Sequence, residues 1–112
     1  MDKKFFVPFE TARQLKEKGY PQDKSDYGYF DNGDSHPLIM FPADNFDCAA
    51  PTYHEVLDWL EWKGIYISIM YFKVRIAPWV ATIDGKVCDC INGASTREET
   101  LNAAIIKALE ML

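Results

Sequence analysis

Thiols, imidazoles and carboxylates are the groups from which this chain could build a reactive site: three cysteines, two histidines and 17 acids. Cys88 and Cys90 are the closest thiols. On a strand, residues two apart point to one face, so both sulfurs could reach a single metal. Structural zinc sites draw on C-x2–4-C pairs and need four ligands. C-x-C, with only Cys48, His36 and His54 elsewhere, does not supply that pattern. Thiol redox chemistry favours C-x-x-C, which is also missing. The pair reads as two buried strand cysteines.

The histidines offer little more. His54 stands beside Glu55, and a Cys48–His54 nucleophile pair is conceivable. Such a pair needs a third group to orient the base, and no local motif supplies one. G-x-S-x-G, P-loop and H-E-x-x-H patterns do not occur. Asp31-Asn32-Gly33-Asp34 has the look of a calcium loop. An EF-hand requires glycine at position six and glutamate at position twelve, where this sequence has His36 and Pro42. The residues therefore point to no catalytic group, no metal site and no cofactor.

Charge is more informative. The formal net charge is −5, and the calculated pI is about 4.9. Between Tyr20 and Thr52 lie Asp23, Asp26, Asp31, Asp34, Asp44 and Asp47 against Lys24 alone, while acids and bases elsewhere cancel. One segment carries the whole imbalance. Without a basic groove the electrostatic basis of phosphate binding is missing, so nucleic acid is not an expected partner. The same segment holds Tyr20, Tyr27, Tyr29, Phe30, Phe41 and Phe46. Aromatic anchors with a charged rim are what protein interfaces use. The candidate interaction surface is Tyr27, Tyr29, Asp31, Asp34, Asp44 and Asp47, joined by Trp62 from the outer side of a neighbouring helix.

The elements that must hold these residues follow from periodicity. Pro8–Lys18 predicts a helix with Phe9, Ala12 and Leu15 inward, closed by Gly19. Tyr27–Phe30 and Leu38–Phe41 read as short strands around the Asn32-Gly33 turn. Thr52-Tyr53-His54-Glu55 is a capping box opening a second helix. Its inner stripe is Tyr53, Val56, Leu57 and Leu60, its outer side Glu55, Asp58, Glu61 and Trp62, and Gly64 ends it. Ile65, Ile67 and Ile69 alternate with polar or larger residues, and Phe72, Val74 and Ile76 repeat the pattern one residue out of phase. Pro78 marks an edge or break. Trp79–Ile83 and Lys86–Ile91 flank the Asp84-Gly85 turn. Ser95-Thr96-Arg97-Glu98 is a second capping box, before a helix with Leu101, Ala104, Ile105, Ala108, Leu109 and Leu112 on one face.

Composition agrees with a folded domain: 48% hydrophobic and 14% aromatic over 112 residues. The densest apolar run, Ile65–Phe72, is far short of the roughly 20 residues that cross a bilayer. The start, Met1 to Pro8, lacks the apolar stretch of a signal peptide. The expectation is one α+β domain over residues 1–112. It has an antiparallel sheet of three to five strands and about three helices, one or two of them packed on a sheet face.

Three ordered motifs add a resemblance. They are Phe6-Val7-Pro8-Phe9-Glu10-Thr11-Ala12 with Leu15–Tyr20; Ala50-Pro51-Thr52-Tyr53 with Val56–Leu60 and Gly64-Ile65; and Thr96–Leu101 with Ala104-Ile105 and Ala108-Leu109. The set resembles small proteins of phages, prophages and mobile elements of gut Bacteroidetes-type bacteria. That group lends no catalytic role to any residue. It implies a cytoplasmic accessory protein. The resulting expectation is a non-enzymatic protein-interaction module whose partner is another protein or a second copy of the chain, with no membrane involved. The alternatives are a small-molecule or metal-dependent enzyme and an acidic DNA-mimic inhibitor.

Overall fold

The computed structural model describes residues 3–22, 27–30, 38–40, 47–73, 78–84, 86–87 and 96–112. The protein is a mixed α+β fold whose chain divides into two compact units, Met1–Thr52 and Tyr53–Leu112. Among the described residues the strands form two antiparallel three-stranded sheets, one in each unit, where the sequence suggested a single sheet.

In the first unit, a single 3-10 turn at Lys3–Phe5 leads into helix α1, Phe9–Glu17. Pro8 is the residue before the helix, with φ −63° and ψ 160°, rather than its first helical residue as the sequence suggested. Its carbonyl accepts from the Ala12 N–H at 2.9 Å, so the ring occupies a place where no N–H is needed. The helix stops at Gly19, whose φ is +95°. There the Gly19 N–H reaches the Lys16 carbonyl at 3.1 Å and the Tyr20 N–H the Leu15 carbonyl at 2.9 Å. These two bonds make a Schellman motif, closed by the buried pair Leu15 and Tyr20.

Strands β1 (Tyr27–Tyr29), β2 (Leu38–Met40) and β3 (Cys48–Ala49) pair in the order β2-β1-β3. The β1–β2 pairing sets Gly28 opposite Ile39, as the hairpin reading required; its turn, residues 31–37, lies outside the described residues. β3 had no sequence signal. It is two residues long and takes its pairing from β1, with Tyr29 opposite Cys48. Helix α1 packs on β3. Thr11, Ala12 and Leu15 are its buried residues, and Phe9 is only half-buried. The N-terminal segment runs antiparallel to Pro51-Thr52, through the Phe6–Thr52 bridge and a 3.0 Å bond from the Val7 N–H to the Pro51 carbonyl.

In the second unit, helix α2 spans Tyr53–Trp62. Tyr53, Val56 and Leu60 are buried; Glu55, Asp58, Glu61 and Trp62 are exposed, as their spacing predicts. Its end repeats that of α1. Gly64 has φ +89°, and the Gly64 and Ile65 N–H groups bond the Glu61 and Leu60 carbonyls, each at 2.9 Å.

Strands β4 (Ile67–Tyr71), β5 (Trp79–Ile83) and β6 (Lys86–Val87) follow in the order β4-β5-β6. The central strand β5 is buried from Val80 to Ile83. Asp84, with φ +53°, follows β5 where Ile83 pairs with Lys86, as a tight hairpin requires; Gly85 lies outside the described residues. Val74, Ile76 and the expected return strand beyond Val87 lie outside the described residues.

Helix α3, Arg97–Leu109, packs on β4 and β5 and against α2. Its cap is Thr96, one residue later than the Ser95 start read from the sequence: the Thr96 hydroxyl accepts from the Glu99 N–H at 3.1 Å. Leu101, Ala104, Ile105, Ala108 and Leu109 are buried, while Leu112 is exposed.

Candidate functional site

The seven residues proposed from sequence fall into four groups. Asp31, Asp34 and Asp44 lie outside the described residues, as do His36, Cys88 and Cys90. Tyr27 and Asp47 stand on the first unit. Tyr27 is half-buried, its ring 4.8 Å from that of Phe6. Asp47 is exposed just before β3, where its N–H bonds the Tyr29 carbonyl at 2.8 Å and its carbonyl accepts from the Lys16 ammonium at 2.6 Å.

Tyr29 belongs to the core and not to a surface. It is 3% exposed, sits edge-on to Phe9 and donates its hydroxyl to the Val7 carbonyl. Burial is the main cause that pushes its phenol above the ordinary tyrosine range, with a smaller contribution from Cys48. A ring so enclosed packs the sheet and offers nothing to a partner. Sequence reasoning placed it outside because its neighbours are acidic, whereas the hydroxyl's partner lies 22 residues away.

Cys48 is a buried cysteine outside any disulfide. His54 stands in solvent on α2 with its Nε2 3.5 Å from the Asp58 carboxylate. Among the described residues, no cluster of three or more histidines, cysteines or acids is placed to hold a metal. A shallow depression of about 260 Å³ follows one side of α3, lined by Ala103, Ile106, Lys107 and Glu110. The Lys107–Glu110 ion pair, 3.4 Å long, spans its charged end.

Of the exposed aromatic groups among the described residues, Phe5 and Phe30 stand on the first unit and the others follow one another along the second unit's chain. Trp62, at the end of α2, is 79% exposed. The Lys63 ammonium lies 5.1 Å from its ring and 5.6 Å from that of Trp59, close enough for cation–π attraction to both. Tyr66, Met70, Tyr71 and Phe72 follow, all exposed. The strand pleat puts Tyr66, Ser68, Met70 and Phe72 on one side of β4 and its extensions. Ile67 and Ile69, on the other side, are half-buried. Tyr71 stacks obliquely on its cross-strand neighbour Trp79 at 5.0 Å.

Of the seven residues, Trp62 thus stands with a group that composition had not singled out. The signal was present: Ile65–Phe72 was the densest apolar run, and strand period two exposes half of any run covered on one face. Compared with family models, curated proteins and solved structures, the chain matches none. No described helix is long and apolar enough to cross a membrane.

Proposed function

We propose that the protein is a non-enzymatic interaction module, a cytoplasmic accessory protein of phage or mobile-element origin, that docks another protein through its second unit. The observation that carries this is the exposure of Tyr66, Met70 and Phe72 on one side of β4 and its extensions, following the exposed Trp62 at the end of α2. Large exposed aromatic residues are the usual anchors of protein interfaces, because they bury much area at little entropic cost. Lys63 beside Trp62 adds a cation at the rim of this surface. Exposed Asp47 and half-buried Tyr27, on the first unit, are the alternative contact.

The test is affinity capture with the full chain, comparing wild type, Trp62→Ser with Tyr66→Ser, and Asp47→Asn with Tyr27→Ser. The reading predicts that the Trp62/Tyr66 variant loses the captured protein while folded, and that the Asp47/Tyr27 variant keeps it. An unchanged partner profile for the Trp62/Tyr66 variant overturns it. A partner that is instead lost on the Asp47/Tyr27 change, is a DNA-binding protein and is released by salt favours the DNA-mimic alternative.

A further inference from the structure

Among the described residues strand β4 is an edge of its sheet, and the hydrogen bonds at its two ends reveal which of its backbone groups face away from β5. The Asp84 N–H donates to the Tyr66 carbonyl at 2.8 Å, and the Phe72 N–H donates to the Pro78 carbonyl at 2.7 Å. Bonded and non-bonded pairs alternate along an antiparallel ladder. Tyr66, Ser68, Met70 and Phe72 therefore turn their backbone groups toward β5. Ile67, Ile69 and Tyr71 turn theirs away. Among the described residues, nothing is hydrogen-bonded to those outward groups.

Proteins commonly blunt such an edge with a charge, a proline or a bulge. From Gly64 to Phe72 this chain has no charged residue and no proline, and the β4–β5 register runs without a bulge from Ile67 to Tyr71. We infer that the occupant of this edge is a second copy of the same strand, paired antiparallel about a two-fold axis at Ile69. This goes beyond the docking reading above and stands independently of it.

The register is self-complementary. Ile69 meets Ile69 of the second copy, and Ile67 meets its Tyr71, each pair exchanging both backbone hydrogen bonds through the outward groups. On the exposed side Tyr66 falls opposite Phe72 and Ser68 opposite Met70. Aromatic–aromatic and aromatic–β-branched partners are among the favourable cross-strand pairs. Lys73 falls opposite Ile65, so no lysine faces a lysine along the paired segment. A charged partner strand would gain no ion pair on this edge, whereas an identical neutral strand loses nothing there. The two sheets then continue into one, and no edge of β4 stays open.

Charge-swap variants of the full chain, followed by sedimentation equilibrium, test this. Ser68 and Met70 are both exposed, so either can carry a charge without disturbing the core. Ser68→Lys with Met70→Lys sets lysine against lysine twice; Ser68→Lys with Met70→Glu sets lysine against glutamate twice. Wild type is expected to self-associate, the double-lysine variant to weaken association about tenfold, and the lysine–glutamate variant to restore it. A wild type that is monomeric at its highest soluble concentration overturns the inference, as do two variants with equal affinity. If wild type is monomeric yet Trp62→Ser with Tyr66→Ser still abolishes capture of another protein, the self-pairing fails and the docking reading stands.

Discussion

The two units use the same parts for opposite ends. Each has a helix that stops at a glycine with positive φ, and each sets a three-stranded antiparallel sheet in order around a central strand. In the first unit Phe6, Tyr20 and Tyr29 are buried and the Tyr29 hydroxyl finds a carbonyl to bond, while Phe5 and Phe30 stand exposed singly at either end of the described sequence before β2. In the second unit Trp62, at the end of α2, and Tyr66, Tyr71 and Phe72, on and beside the uncharged strand β4, turn outward. The lesson is that aromatic density does not locate a docking surface. What distinguishes the two units is which aromatic groups the fold leaves without cover, and the proposed docking surface follows from that.

The largest effects should come from the residues that close the two helix ends. Leu15→Ala and Leu60→Ala remove fully buried side chains, and each should cost about 2–5 kcal/mol in chemical denaturation. Ile105→Ala, on α3, belongs to the same class. If Leu60→Ala were near neutral while Leu15→Ala was not, the likeness of the two ends would break.

Gly19→Ala and Gly64→Ala come next. An added Cβ meets nothing within 4 Å at either site, so the cost is the left-handed backbone alone, about 1–2 kcal/mol. Equal costs in the two units would sharpen the parallel.

Tyr29→Phe should cost about 1 kcal/mol through its lost hydrogen bond. It has a pH signature as well. Because the folded phenol titrates above its unfolded value, the unfolded chain releases its proton first as pH rises. The extra stability is complete below the unfolded pKa and is lost between that value and the higher folded one. Melting followed above about pH 10 should show a decline that is shallower in Tyr29→Phe. The same slope in both proteins would place the tyrosine outside the core.

Smallest is the cost of the surface. Thr96→Ala should lose a cap, about 0.5–2 kcal/mol. Trp62→Ser should change stability by less than about 0.5 kcal/mol while abolishing capture of the partner. A melting temperature that falls substantially on Trp62→Ser would mean the ring serves the fold.

Much of this architecture was legible where the signal is local. Stripes on the three helices, both glycine stops and both hairpins follow from residue types a few positions apart. The α3 cap was off by one because Ser95 and Thr96 are both capping residues and Glu98 and Glu99 both suit the first turn. Buried Thr100 escaped a hydropathy reading because its hydroxyl is satisfied within the helix, by the Thr96 carbonyl at 3.0 Å. Strand β3 and the inward turn of Tyr29 depend on partners about 20 residues away, which periodicity does not register. The exposure of Trp62 was legible from its place on the outer helix face. The open edge was not, since it depends on β4 having, among the described residues, β5 on one side only.

That edge is tested most directly by amide hydrogen exchange of the full chain, read residue by residue at low and high protein concentration. Ser68 and Met70 bond within the sheet and should be protected at both. Ile67, Ile69 and Tyr71 should exchange fast when dilute and become protected as concentration rises, giving an alternating pattern along one strand. Exchange at those three positions that does not depend on concentration would contradict the pairing of β4 with its own copy.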